Sequence, residues 1–307
     1  MMRTGRKAQR GAAVILAMSV AALAAIAATA VLAAQSVWTR EQELSADYAQ
    51  ARALVGAAID WSRYVLAESA REGAVDHLGE PWALRFTPVA FDNGRIGGHI
   101  ADQQGLFNLN NLVVDGKASP AHVRQFGRLL DALGLPASLA DTLVDWLDAD
   151  GEPRSANGAE DRYYLALVPA YIGANRPLTD VSELALVRGF DEATRARLRG
   201  YVTALPRATA VNVNTAPPEV LCALTGIDID QARAVASQRA GSPFREIGDF
   251  VSALPAGVDM RRDDIGVASD FFTVSVFARI GESQAAGTAL LAREKKGWPA
   301  VVWRKFL

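Results

Sequence analysis

Between Asp141 and Asp161 lie seven carboxylates (Asp141, Asp145, Asp148, Asp150, Glu152, Glu160 and Asp161) against one arginine, Arg154. Like charges this close repel unless they are solvated or bridged by a cation. Gly151, Pro153, Asn157 and Gly158 make the stretch irregular enough to bend around an ion. Carboxylate and carbonyl oxygens, with no His or Cys among them, favour calcium, which takes about six to eight oxygens in flexible geometry. An EF-hand does not fit, because Pro153 stands where its glycine is needed and Ala159 where its closing Glu belongs. A solvated acidic loop whose carboxylates cap helices fits the spacing equally well. Paired carboxylates could also hydrolyse glycosides if they lined an aromatic cleft, and Trp146, Tyr163 and Tyr164 are near. Helical spacing, however, puts Trp146 on a core-facing stripe with Leu143 and Leu147.

The elements that must position this loop begin far upstream. A short basic leader (Arg3, Arg6, Lys7, Arg10) ends at Gly11, and an uncharged run extends from Ala12 to Thr39. Such a leader holds its end in the cytoplasm by the positive-inside bias. As a helix the run exceeds the roughly 30 Å hydrocarbon core. From these residues alone a secretory signal cut at Ala28-Thr29-Ala30 and a plain single-pass anchor remain open. From Trp38 to about Ser69 apolar residues recur at three- and four-residue steps. With the apolar run this makes one helix with an amphipathic outer half, stopping at Arg71-Glu72-Gly73.

Strand-like runs at Trp82–Phe86 and Arg95–Ala101 flank the turn signal Asp92-Asn93-Gly94 and read as a hairpin. Further strands are expected only at Phe271–Ile280 and Ala300–Trp303. Between Pro120 and about Asp264 the pattern is short helices joined by Gly and Pro turns. The expected fold class is therefore α+β: a long N-terminal helix packed on a small antiparallel sheet, interrupted by a large α-helical insertion.

The chain has 307 residues, half of them hydrophobic, and a net charge of −2, so a sizeable core forms and nothing global points to nucleic acid. A single cysteine, Cys222, excludes an intrachain disulfide. His77, His99 and His122 lack zinc-type spacing. No P-loop, dinucleotide fingerprint or supported Ser/His/Asp arrangement is present.

The leader, Gly11 and the apolar run resemble the N-terminus of type IV pilins and pseudopilins. The resemblance implies peptidase cleavage after Gly11 and methylation of Ala12 as the mature N-terminus. Leu16 stands at the fifth mature position, where most members carry Glu; the K-type minor pseudopilin of type II secretion usually lacks it. Asp102-Gln103-Gln104-Gly105 through Leu112, the Asp145–Asp150 and Gly158–Tyr164 stretches, and Asn212-Val213-Asn214-Thr215-Ala216 resemble K-type segments in the same order. The resemblance implies a structural calcium site with Asp145, Asp148, Asp150, Glu160 and Asp161 as ligands. It also implies a non-enzymatic subunit at the pseudopilus tip, serving export of folded proteins across the outer membrane. The expected partners are I- and J-type minor pseudopilins, the major pseudopilin, the prepilin peptidase and the inner-membrane secretion platform. The implied place is a single pass through the bacterial inner membrane, with the head in the periplasm. The implied divisions are 1–11 leader, 12–72 stem, 73–101 first sheet portion, 102–205 and 206–265 helical units, and 266–307 final strands.

The 212–234 stretch also resembles the helix-hairpin-helix unit of DNA-binding proteins, and the α-helical insertion is expected to contain helix-hairpin-helix or SAM-like units. Its hairpin, Gly226-Ile227-Asp228-Ile229-Asp230, places two carboxylates where phosphate would approach, which opposes nucleic-acid binding. A DNA-uptake role and a secreted carboxylate hydrolase are the alternative functions.

Overall fold

A computed structural model describes residues 7–84, 86–258, 260–293 and 297–307. Leader residues Arg3 and Arg6 lie outside them. One helix, α1 (Lys7–Glu72), carries the apolar run and the amphipathic half without a break. Gly11, Ala12 and Leu16 are exposed on it, as is the whole apolar stretch, including Val14, Ile15, Leu23 and Ile26. The helix is long and apolar enough to cross a membrane.

Its second half does the packing. Ala51, Val55, Ile59 and Leu66 are fully buried at helical spacing against one face of a five-stranded antiparallel sheet. The strands are β1 (Phe86–Phe91), β2 (Gly94–Asp102), β3 (Phe271–Ile280), β4 (Ser283–Ala292) and β5 (Ala300–Phe306), in that spatial order. From β3, Phe272, Val274, Val276, Ala278 and Ile280 face α1. Burying each large side chain on this seam contributes about 1.5–3 kcal/mol.

The hairpin at Asp92-Asn93 is present, but its first strand starts later than expected. Trp82 sits in a 3-10 turn, Pro81–Ala83, buried edge-on against Phe272 at 5.1 Å, because Pro81 sets a helical first position there. β4 has no counterpart in the sequence expectations. Its inward positions Ala285, Gly287 and Ala289 are small because α1 lies close: a Cβ on Gly287 would meet the Val55 side chain at 2.7 Å. Packing selected against the β-branched residues that mark a strand in sequence.

Residues 103–270 interrupt the meander between β2 and β3. They form α2 (Pro120–Ala132), α3 (Leu139–Leu147), α4 (Asp161–Tyr164), α5 (Glu192–Leu198), α6 (Pro218–Thr225), α7 (Ile229–Gly241) and α8 (Ile247–Ala253). Two-residue parallel bridges close each half: Phe107–Asn108 with Val202–Thr203, and Val211–Asn212 with Ile265–Gly266. Both halves share one core, in which Phe126, Leu129 and Leu130 of α2 and Val220, Leu221 and Leu224 of α6 are buried.

Candidate metal site

Helix α3 buries Leu143, Val144, Trp146 and Leu147 and carries Asp145 inward with them. Trp146 is a packing residue: its ring stands edge-on to Tyr164 at 5.0 Å, and Tyr171 packs behind Tyr164. This aromatic floor fixes the end of α3 against the start of α4. The loop between them can then fold back on Asp145, whose Oδ1 accepts the Arg154 amide at 3.0 Å and whose Oδ2 accepts the Ala159 amide at 2.8 Å. The Arg154 guanidinium turns to Asp141 at 3.2 Å.

That fold brings one oxygen each of Asp148, Asp150 and Glu160 within 4.8 Å of one another. Asp148 and Glu160 are 7% and 5% exposed, and Asp148 Oδ1 and Glu160 Oε1 lie buried with no hydrogen-bond partner among the described residues. Burial, followed by repulsion from Asp150 and Asp145, pushes Asp148 up to about 6. Burial, followed by repulsion from Asp145, Asp148 and Asp150, pushes Glu160 up to about 7. Asp145 is raised too, chiefly by burial, against the two amides that donate to it. Orphaned buried carboxylate oxygens that repel one another are what a hard divalent cation neutralises, so the donor set fits calcium.

The five expected ligands divide into two groups. Asp148, Asp150 and Glu160 come together, whereas Asp145 is occupied by the loop's amides and Asp161 Oδ1 accepts the Gly173 amide at 2.8 Å.

A second set of polar side chains emerged only in three dimensions. Asparagines stitch the inserted block together by acting as surrogate peptides that both donate and accept. Asn110 donates to Leu178 O and Leu205 O and accepts from the Leu178 amide. Asn111 pairs with both backbone groups of Thr209, and Asn214 with both of Phe244. At the junction with the sheet, buried Asp102 Oδ2 accepts from Thr215 Oγ1 (2.5 Å), Ser269 Oγ (2.7 Å) and Asn212 Nδ2 (3.1 Å). Asp76 lies behind, paired with Arg293 and the Ser269 amide. The segments opening at Asp102 and Asn212, separate in sequence, thus meet at one buried carboxylate.

His122 is structural: it bonds Ser119 Oγ at 2.8 Å and faces Asp264 at 3.4 Å. The serine heads α2 and touches the ring one turn on, while Gln125 holds the other Asp264 oxygen at 2.7 Å. The group ties α2 to the segment before Ile265. In the α6–α7 hairpin, Gly226 takes φ +76° as the helix C-cap, and the Asp228 carboxylate accepts the amides of Asp230 and Gln231. A carboxylate therefore occupies the amides that would meet a phosphate.

Two family models, both described as type II secretion system (T2SS), protein K, match residues 105–207 and 211–275. Type II secretion system protein K of Pseudomonas aeruginosa is 37% identical over 306 residues, covering 95% of this chain and 91% of that one. The Klebsiella pneumoniae protein of that name is 31% identical, covering 97% and 96%. A chain of the GspK-GspI-GspJ complex from the enterotoxigenic Escherichia coli type 2 secretion system superposes with a TM-score of 0.77 at 28% identity. It covers 87% of this chain and 98% of that one. The long helix, the interrupted sheet and the inserted helical block are therefore shared with relatives over nearly their full length, and the chain belongs to the type II secretion system protein K family.

Proposed function

We propose that this chain is a minor pseudopilin at the tip of a type II secretion pseudopilus, where it nucleates or caps assembly with I- and J-type partners. The observation that carries this reading is the likeness to a chain of the GspK-GspI-GspJ complex, inserted head included. Two features of the chain support the tip. A buried carboxylate at position 16 would need a compensating charge, and a terminal subunit has no neighbour above to provide one; Leu16 avoids that need. The block at residues 103–270 also makes the head too bulky to repeat along a shaft.

In this reading the mechanism is assembly rather than catalysis. The leader keeps the processing site cytoplasmic, the prepilin peptidase cuts after Gly11 and methylates Ala12, and the stem waits in the inner membrane with the head in the periplasm. The major pseudopilin and the inner-membrane platform then engage it. A structural calcium ion is held by Asp148, Asp150 and Glu160 with backbone carbonyls, inside the loop that Asp145 and Asp161 brace. Bound there, the ion supplies charge neutralisation.

Co-purification of the full-length chain with its I- and J-type counterparts, alongside loss of exoprotein secretion on deletion, tests the reading. Saturable binding to duplex DNA at physiological salt, without those partners, would replace it with a DNA-uptake role.

A further inference from the structure

The foot of the sheet lies at the level where the apolar stem ends. Arg40 is the first charged residue after the uncharged run, and it reaches Glu282 in the β3–β4 turn at 2.5 Å. One turn further along α1, Ser283 Oγ donates to Leu44 O at 3.0 Å. The β1–β2 turn is beside it, with the Gly281 amide donating to Asn93 O at 3.1 Å. With the stem in a bilayer, Trp38 and Arg40 mark the headgroup zone, and both turns stand in it.

Just above those turns, Arg95 of β2 is directly opposite Arg279 of β3. Both are exposed on the open face, away from α1, because their neighbours Ala278 and Ile280 face the helix. Like charges directly opposite across strands destabilise a sheet. Neither guanidinium has a carboxylate partner among the described residues; Arg279 reaches only Gly281 O, at 3.2 Å. The acids at this level are placed elsewhere. Glu43 and Glu282 face Arg40, Asp47 lies against Gly281 on the stem side and Glu41 is on α1; Asp92, in the turn, shares a shallow depression with Arg95 and Arg279 but forms no ion pair with either among the described residues.

We infer that Arg95 and Arg279 form a docking surface for anionic phospholipid headgroups, seating the head on the membrane that holds its stem. The phosphates provide the counter-charge that the sheet does not. Long arginine stems reach down to headgroups while their aliphatic parts stay on the strand surface. A seated head would be held until the partners lift it into the filament. The inference rests on the reading of α1 as a membrane span.

The test uses the full-length chain in vesicles of phosphatidylcholine, or of an equimolar mixture with phosphatidylglycerol, followed by amide hydrogen exchange. Residues 92–96 and 279–284 are expected to exchange about tenfold more slowly in the anionic vesicles. The difference should vanish in Arg95→Gln/Arg279→Gln and persist in Arg95→Lys/Arg279→Lys. Equal exchange of the wild-type chain in the two vesicle types overturns the docking surface without recourse to any variant, and so does protection that survives the glutamines. Extraction of the protein from both vesicle types by alkaline carbonate would instead refute the membrane-span reading. A chain that stays embedded but shows equal exchange refutes the docking alone.

Discussion

The Asp145 carboxylate accepts the backbone amide of Ala159, fourteen residues on, at 2.8 Å, and this bond sets the shape of the acidic loop. Its other oxygen takes the Arg154 amide, so one side chain folds the loop in two and delivers Glu160 beside Asp148. Asp145 acts on the candidate ion by positioning.

Calcium should therefore raise the melting temperature of the chain. At a hundredfold excess over the dissociation constant the gain is about 2.7 kcal/mol, a shift of roughly 5 °C or more. Asp148→Asn with Glu160→Gln should melt higher than wild type in chelator, since repulsion is removed, and should lose the calcium shift. Identical melting in calcium and in chelator would sink the site.

Gly158 is the sharpest steric test of the loop. A Cβ there would lie 2.1 Å from Asp145 Oδ2 and 3.1 Å from Pro153 Cβ. Gly158→Ala must push Asp145 off its amides, costing about 2–4 kcal/mol and weakening calcium binding. Calorimetry showing wild-type melting and affinity would mean that the loop folds without the Asp145 brace.

Asp102 gives a pH dependence with a defined sign. Burial pushes its carboxyl up to about 6 from 3.8, against the donors Thr215, Ser269 and Gln104. A folded pKa above the unfolded one means that the native state binds the proton more tightly. Stability from this group therefore rises as pH falls from about 7 through 6 towards 4, by about 3 kcal/mol. Asp102→Asn should flatten that part of the profile. Parallel wild-type and variant curves of stability against pH would remove Asp102 as the source.

Mass spectrometry of the membrane fraction should find a methylated Ala12 as the mature N-terminus. A terminus near residues 31 to 35 would instead mark an ordinary exported protein, and the tip assignment would fall. With the stem retained, Leu16→Glu should leave the complex with I- and J-type partners formed in full-length pull-downs; disappearance of the complex would show that position 16 does more than avoid a charge.

The long helix, its apolar and amphipathic halves, the Asp92-Asn93 turn and the helical character of the insertion were all legible in the chain before folding was considered. Each is written in local periodicity or turn chemistry, which needs no distant partner to be legible. The chain also supplied the acidic loop and its oxygen-only donors, because charge density and donor type are properties of composition. Tertiary structure alone decided which carboxylates converge. Asp145 and Asp148 stand three residues apart, yet of these two only Asp148 keeps an oxygen without a partner among the described residues, since the backbone amides of Arg154 and Ala159 return to Asp145. It alone revealed β4, whose small residues answer to α1 rather than to strand propensity. And it alone joined Asp102 to Asn212, Thr215 and Ser269, contacts spanning more than a hundred residues of chain that no local pattern encodes.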